Sequence, residues 1–130
     1  MATATTGAPL AGVSIRLRDK LREFQDTWSP KVIAGLNDYR VKLAKLDGEF
    51  VWHDHPDTDE LFLCVEGEFE MHYRDRVERV TEGELVVVPR GVEHKPVARD
   101  YCAVLLIEPA GLVNTGDAGG DLTAPVDEWL

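Results

Sequence analysis

Residues 52–62 read WHDHPDTDELF and carry the pattern on which the prediction of fold and site depends. His53 and His55 are two positions apart, so on a β-strand their side chains point to the same face. A proline ends this strand. If the next strand returns antiparallel after the loop at 57–59, Glu60 lies opposite His55. We therefore expect two imidazoles and one carboxylate to converge on one point.

The same register predicts the neighbours of this cluster. It places His53 opposite Phe62, and it puts Phe62 and Cys64 on the face of Glu60. We expect Phe62 and Cys64 to line a pocket beside the carboxylate. For Cys64 the plainer alternative is a small buried side chain without a role in the site.

Neutral imidazole and carboxylate are ligands that suit divalent ions such as Fe(II), Mn(II), Co(II), Ni(II), Cu(II) and Zn(II). Ligands grouped on one side of an ion leave coordination positions open for water or substrate. A fourth ligand has to come from elsewhere in the chain. His94 is the candidate, because it follows the apolar run Leu85–Val88 and a tight turn at Pro89–Gly91.

Outside this region the chain is mostly short strands separated by glycine and proline, which predicts an all-β sandwich or barrel. Residues 68–74 and 76–80 predict a hairpin, and the apolar run at 85–88 is typical of a strand buried on both faces. Tyr39 begins an early strand and is a candidate proton donor, with a packing role as the alternative. Glu108 ends a late strand and is expected to be an exposed charge.

The N-terminal part predicts a helix. Its apolar residues fall at i, i+4, i+7 and i+11, on one helical face: Leu17, Leu21, Phe24 and Trp28. Ser14 can cap its start, and Ser29-Pro30 ends it. The helix is expected to pack against the outside of the barrel or against a partner helix in a dimer.

Composition bounds the class of protein. A chain of 130 residues suffices for one domain with a core. Its formal net charge of -10 repels phosphate backbones, so neither nucleic acid nor an anionic membrane is an expected partner. Two cysteines in apolar runs, with no membrane-spanning stretch and no signal peptide pattern, indicate a cytoplasmic protein.

Two motifs, taken together, resemble the cupin superfamily. The first is Gly48, four residues, His53-x-His55, four residues, Glu60, six residues and Gly67. The second is Gly83, five residues, Pro89-x-Gly91, two residues and His94, with Ala98 where asparagine is usual. The resemblance implies a double-stranded β-helix (jelly-roll barrel) and one divalent metal ion, such as Fe, Mn, Zn or Ni, on His53, His55, Glu60 and His94.

The resemblance divides the chain into four parts. We expect a disordered N-terminus at 1–12, a helical extension at 13–34, the cupin barrel at 35–108 and an irregular C-terminal tail at 109–130. Small cupins commonly pair through sheet edges, so a homodimer is expected as well.

Three functional hypotheses fit this pattern. The first is a mononuclear non-haem metal dioxygenase. The second is a metal-assisted isomerase or lyase that uses the ion as a Lewis acid. Both act on a small organic molecule, and we favour an enzyme because an open metal site suits catalysis. The third is a non-catalytic module that binds a small ligand or a metal, which the lack of an obvious second general base keeps open.

Overall fold

Strands dominate the computed structural model, which describes residues 11–130 of the chain. Within that range there are eight strands and one short helix: α1 (Leu17–Leu21), β1 (Lys31–Leu36), β2 (Tyr39–Glu49), β3 (Glu60–Glu66), β4 (Glu68–Tyr73), β5 (Val77–Thr81), β6 (Leu85–Val88), β7 (His94–Pro109) and β8 (Glu128–Trp129). The predicted all-β fold with a short N-terminal helix is confirmed. The predicted disordered segment lies outside the described residues, except for its last two positions.

The long strand β7 organises the barrel. Its first part, residues 94–97, pairs with β4, and its later part, residues 103–107, pairs with β3. Along its other edge β7 pairs with β2 over nearly its whole length. The hairpin partner β5 joins β4, and β6 joins β3. The halves of the sheet that share β7 enclose one core, which is the predicted jelly-roll barrel.

The barrel interior is apolar because alternate residues of each strand point inward. In β3 the inward set is Glu60, Phe62 and Cys64, and these are buried while Leu61 and Leu63 are half-buried. Together with residues of the other strands, Phe62 and Cys64 belong to one continuous apolar cluster. The inward face of β3 therefore carries both the predicted carboxylate and its apolar neighbours.

The N-terminal helix is much shorter than predicted, because its apolar residues pack in two different places. Leu21 and Phe24 lie in a second apolar cluster with Leu43 and Ala103 of the sheet. Trp28 lies in the barrel cluster instead, so one continuous helical face cannot serve both sites. The helix covers only Leu17–Leu21, and Trp28 adopts a left-handed backbone conformation with φ of 56°. The rest of the predicted helical extension contains strand β1.

Strand β6 is not buried on both faces as predicted. It pairs only with β3, and it is therefore an edge strand of the described sheet. Leu85 and Val87 are 54% and 48% exposed, while Val88 points into the barrel. A run of four apolar residues identifies a strand but does not say what covers each face.

The C-terminal tail is largely irregular, but it is tied to the barrel at both ends. The backbone N–H of Ala110 donates to the carbonyl of Asp38. At the other end β8 pairs in parallel with β1, a strand that the prediction of an irregular tail did not include. No helix among residues 11–130 is long and apolar enough to cross a membrane.

Candidate metal centre

His53 and His94 are direct cross-strand neighbours. The chain leaves β2 at Glu49 and continues beside the start of β7, where two backbone hydrogen bonds join His53 and His94 (N···O 3.1 and 2.9 Å). The centroids of their rings lie 4.2 Å apart. Backbone pairing between the two motif regions thus brings the first motif and the second motif together.

The predicted pairing of His55 with Glu60 is wrong, although the predicted convergence is correct. Glu60 pairs with Val88 of β6, and His53 pairs with His94 rather than with Phe62. The loop between His55 and Glu60 is too irregular to continue as a regular hairpin. The side chains still meet, because the segment that contains His53 pairs with β7, the strand that contains Glu60 pairs with β6, and both lie at the same end of the barrel.

Four buried side chains form the cluster. His53, His55, Glu60 and His94 each offer one ligand atom, and these atoms lie within 4.8 Å of one another. Oε1 of Glu60 is 3.4 Å from Nε2 of His55 and 3.6 Å from Nε2 of His94. This is the residue set that the sequence predicted, and it can hold a metal ion.

Hydrogen bonds to the backbone fix the orientation of two of the rings. Nδ1 of His53 lies 2.9 Å from the carbonyl oxygen of Val51, and Nδ1 of His94 lies 2.9 Å from that of Val92. A carbonyl can only accept, so each Nδ1 carries the proton and each Nε2 keeps its lone pair. This arrangement is typical of histidines that bind metal through Nε2.

The donor atoms also fit a cation because the protein itself does not satisfy them. Nε2 of His55, Nε2 of His94 and Oε1 of Glu60 are buried without a hydrogen-bond partner. Unsatisfied buried polar atoms are costly, and a divalent ion coordinated by all three would remove that cost. The residues present therefore fit the metal ion that the fold implies.

The protonation states of the cluster suit a cation. Burial and the neighbouring His94 lower the pKa of His53 to about 4, so its imidazole is neutral near pH 7. Burial opposes ionisation of Glu60, but its contacts with His55 and His94 outweigh this effect and hold the pKa of the carboxyl below its usual value. Neutral imidazoles and an ionised carboxylate are the forms that bind metal.

Two further contacts hold the ligand loops in place. The backbone N–H of Gly91 donates to the carbonyl of His55, and that of Arg90 donates to Oδ1 of Asp59. Asp59 thereby joins the two motif loops, because its side chain points to the turn after β6.

A cavity of about 30 Å³ adjoins the cluster. His53, Glu60 and Phe62 are among its lining residues, together with aliphatic side chains of β2 and β7 and the aromatic rings of Trp28 and Phe50. At roughly 10–15 Å³ per water, this cavity has room for about two water molecules. Phe62 therefore lies where the sequence predicted, beside the carboxylate.

Cys64 is not among the residues that line this cavity. It is buried deeper along β3, and its Sγ lies 3.8 Å from Sγ of Cys102. Burial is the largest cause of the raised pKa of both thiols. The plainer alternative for Cys64, a small buried residue, describes its position.

The structure also does not bring Tyr39 to the site. Tyr39 begins β2 beside the turn from β1, it is 43% exposed, and it is absent from the cavity wall. The inward positions of β2 are taken by Lys42, Ala44 and Leu46 instead. An exposed residue at the end of a strand cannot act on a substrate inside the barrel.

Glu108 is the functional candidate that the sequence analysis missed. It was expected to be an exposed charge, but it is 2% exposed and lines the cavity together with Glu60. Its Oε2 accepts a hydrogen bond from Nζ of Lys42 (2.9 Å), and Nζ lies 3.0 Å from Oδ1 of Asp127. The sequence of β7 could have predicted this burial, because Glu108 continues the alternation that points Val104 and Leu106 inward.

Burial and the neighbouring charge of Glu60 raise the pKa of Glu108 well above its ordinary value, and Lys42 opposes this shift. The pKa values of the two carboxyl groups that share the cavity are therefore shifted in opposite directions. Glu60 belongs to the metal cluster, while Glu108 faces the same cavity on a different strand. Such a difference between neighbouring titratable groups is typical of acid–base sites.

Ala98, which takes the place of the asparagine in the second motif, is fully buried in the barrel cluster. It lies opposite Gly48 where the register between β2 and β7 shifts. Its methyl group packs among apolar side chains, so the missing amide takes nothing from the four-residue cluster.

Comparison with known proteins agrees with this description. The Cupin_2 family model, described as a cupin domain, matches residues 39–108. A cupin-2 domain containing protein from Shewanella frigidimarina NCIMB 400 is 49% identical, with a TM-score of 0.72 over 73% of this chain and 93% of that chain. Protein NMB1881 from Neisseria meningitidis is 31% identical, with a TM-score of 0.69 over 75% of this chain and 100% of that chain.

Among curated proteins, the uncharacterized protein YdbB of Bacillus subtilis (strain 168) is 39% identical over 64 residues. The match covers 48% of this chain and 57% of that protein, so it spans a little more than half of the relative's length. The family model covers more than half of the present chain, and its span contains all four residues of the cluster. The chain belongs to the cupin domain family.

Proposed function

We propose that this cupin is a metal-dependent enzyme that catalyses a redox-neutral proton transfer on a small organic molecule, of the isomerase or lyase type. One observation carries the proposal. Two residues of the metal cluster, His53 and Glu60, border the same buried cavity as a further carboxyl group, Glu108. A bound divalent ion, held by the four clustered residues, would supply Lewis-acid polarisation of a substrate oxygen.

Glu108 is the residue that would hold or move the proton. It is buried, and its Oε2 is fixed by the ammonium group of Lys42 at 2.9 Å. A carboxyl group held in one orientation at a cavity wall can exchange a proton with a substrate carbon or oxygen placed beside it. Lys42 thus orients the carboxylate and balances its charge when the proton has left.

The cavity walls indicate the kind of substrate. Trp28, Phe50 and Phe62 line the cavity with aliphatic residues, and its polar groups are few. A molecule rich in hydroxyl groups would leave many of them unpaired against these walls. We therefore propose a short-chain oxo- or hydroxy-compound, with one oxygen toward the metal cluster and its carbon chain against the aromatic wall.

The test is exchange of carbon-bound protons with solvent. Protein loaded with Mn(II), Zn(II), Ni(II) or Fe(II) is incubated in D₂O under anaerobic conditions with short-chain oxo- and hydroxy-acids, and deuterium is located by NMR after removal of the metal. We expect metal-dependent exchange that Glu108→Gln lowers by about 100-fold or more, the usual contribution of a general acid or base. Glu82→Gln, an exposed carboxylate without a partner in the described structure, is the matched control.

Two other outcomes would replace the proposal. Oxygen consumption that requires Fe(II) and an organic substrate would favour a mononuclear dioxygenase. Stoichiometric metal binding with neither exchange nor oxygen consumption would favour a non-catalytic metal- or ligand-binding module. In both cases Glu108→Gln would leave the measured property nearly unchanged, since the residue lies outside the metal cluster.

We also propose that two copies of the chain pair through β6. The outer edge of this strand has no partner among the described strands, and Leu85 and Val87 are exposed on it. An unpaired edge with apolar side chains favours pairing with an identical edge, because antiparallel strands can be related by a two-fold axis. Light scattering after size-exclusion chromatography should give twice the chain mass, and Val87→Lys should give a monomer of unchanged fold.

A further inference from the structure

The cavity wall is not built only from the residues that match the cupin domain. The matched segment covers residues 39–108, yet Trp28, Pro30 and Asn114 also line the cavity. Trp28 stacks on Phe50 with ring centroids 4.7 Å apart. Phe50 in turn makes a T-shaped contact with His53, with ring centroids 5.2 Å apart. Trp28, which lies in a segment that flanks the domain, is therefore separated from His53 of the metal cluster by the ring of Phe50.

Asn114 connects these two flanking segments. Its Nδ2 donates to the carbonyl of Trp28 (3.2 Å) and to that of Leu122 (3.0 Å), while its Oδ1 accepts from the backbone N–H of Ala124 (2.9 Å). One side chain thus fixes the fold of the C-terminal segment and ties that segment to Trp28. The backbone of Trp28 is held in its unusual left-handed conformation at the same point.

We call residues 112–126 the strap, because this segment is anchored at both ends and has few hydrogen bonds to the rest of the chain between them. Its ends are fixed by the Ala110–Asp38 hydrogen bond and by the pairing of β8 with β1. Among the described residues, the only hydrogen bond from the strap to the rest of the chain is that from Asn114 to Trp28. The other walls of the cavity are strands joined by continuous backbone ladders.

We infer that the strap and Trp28 form the movable wall of the cavity, and that Asn114 determines which molecules reach the metal cluster by holding this wall closed. The inference rests on the proposed function, since it assigns the size selectivity of that same site. A segment held by one hydrogen bond and by side-chain packing opens at a lower free energy than a strand joined to its neighbours by a continuous backbone ladder. The cavity of about 30 Å³ admits an occupant of water size when closed, and larger molecules require the strap to move.

The direct test uses Co(II)-loaded protein and two exogenous ligands of different size, azide and imidazole. Binding is followed by stopped-flow absorption of the Co(II) bands. We expect azide to bind wild type and variants at similar rates, because a thin linear anion needs little opening. Imidazole should bind wild type slowly, and Asn114→Ala should raise its association rate by about tenfold, which corresponds to losing the one hydrogen bond to Trp28 at roughly 1.4 kcal/mol.

Two further variants keep this test decisive. Asn114→Asp loses both Nδ2 donors, so it should also speed imidazole binding, but it keeps the acceptor for Ala124 and thus one hydrogen bond within the strap. Asp121→Ala alters an exposed strap residue that makes no hydrogen bond among the described residues, and it should leave both rates unchanged. Equal imidazole rates in wild type and in both folded Asn114 variants would overturn the inference.

A measurement without metal separates this inference from the proposed function. In a Trp52→Phe/Trp129→Phe background, Trp28 is the remaining tryptophan, and acrylamide quenching of its fluorescence reports opening of the wall. We expect Asn114→Ala to raise the quenching constant severalfold over the same background, and an unchanged constant would overturn the inference. Failure of every variant to bind Co(II) would overturn the proposed function instead, while the quenching result would still decide the role of the strap.

Discussion

The barrel strands and the C-terminal strap border the same cavity but are held by different forces. The strands that carry Glu60 and Glu108 are joined by backbone ladders along β7. The strap is held by the side chain of Asn114 and by packing of residues such as Leu122 against the barrel cluster. The metal cluster can therefore keep its geometry while one cavity wall changes, which is the arrangement expected when binding and access are controlled separately.

The largest effect should follow from removing a ligand on the barrel side. His94→Ala removes the residue that pairs with His53 and contacts Glu60. Metal affinity should fall by more than about 100-fold, because mutation of residues that only support metal ligands already lowers affinity by up to about that factor. Metal content and competition with a chromophoric chelator measure this. His72→Ala, which removes a half-buried histidine bonded to Glu70, is the control. Metal content equal in wild type and His94→Ala would refute the assignment of the cluster.

A second large effect should come from the ion pair that joins the two regions. Lys42 is 3% exposed and contacts both Glu108 at the cavity and Asp127 at the end of the tail. Lys42→Met leaves Glu108 buried without its partner, so the free energy of unfolding should fall by about 3–5 kcal/mol. Urea denaturation of the metal-free protein measures the loss.

The double variant Lys42→Met/Glu108→Leu is the matched control for this ion pair. Replacing both partners by apolar residues removes the unpaired buried charge, so most of the lost stability should return. If the double variant is no more stable than Lys42→Met alone, packing of the Lys42 chain rather than its charge explains the loss. Both variants also remove the ion pair between residue 42 and Asp127.

The ion pair between Lys42 and Glu108 is also one of the contacts that the sequence did not predict. The ligand set was predictable because His53, His55, Glu60 and His94 stand in two motifs with fixed spacing. The pairing of their strands was not predictable, because the backbone hydrogen bonds between His53 and His94 join residues that are far apart in the chain. Local sequence indicates a strand, but it does not indicate which strand will lie beside it.

The missed residues share one physical cause. Glu108 was expected at the surface because single charges usually are, and only its partner Lys42, on another strand, makes its burial tolerable. Trp28 was placed on a helix because its spacing from Phe24 fits a helical period. Its tertiary contact with Phe50 overrides that local preference. Both errors concern contacts between segments distant in the sequence.

A smaller effect should come from the place where the strap touches the ligand loop. A side chain at Gly116 would overlap the carbonyl oxygen of Asp54, the residue between His53 and His55, and Gly116 has φ of +56°. Gly116→Ala should therefore push the strap away from the loop, lower stability by about 1–3 kcal/mol and weaken metal binding several-fold. Thermal unfolding and metal competition measure the two effects.

Gly111→Ala is the matched control for this contact. Gly111 also has a left-handed backbone, with φ of +83°, but a side chain there meets open space. It should lower stability through backbone strain alone and leave metal affinity unchanged. Equal metal affinity in both variants would mean that the strap does not influence the ligand loop.

The smallest expected effect concerns the reactivity of two buried thiols, which Asn114→Ala should leave unchanged. This measurement distinguishes opening of the cavity wall from opening of the barrel. Cys64 and Cys102 are buried side by side inside the barrel, and burial is the main cause that raises the pKa of each thiol. Labelling by Ellman's reagent at pH 8 should therefore be negligible in the native protein and should follow global unfolding in urea. Asn114→Ala should leave this labelling rate unchanged while it increases acrylamide quenching of Trp28, since only the wall outside the strands has been released. Faster labelling in Asn114→Ala would mean that strap and barrel open together, and the two regions would then form one cooperative unit.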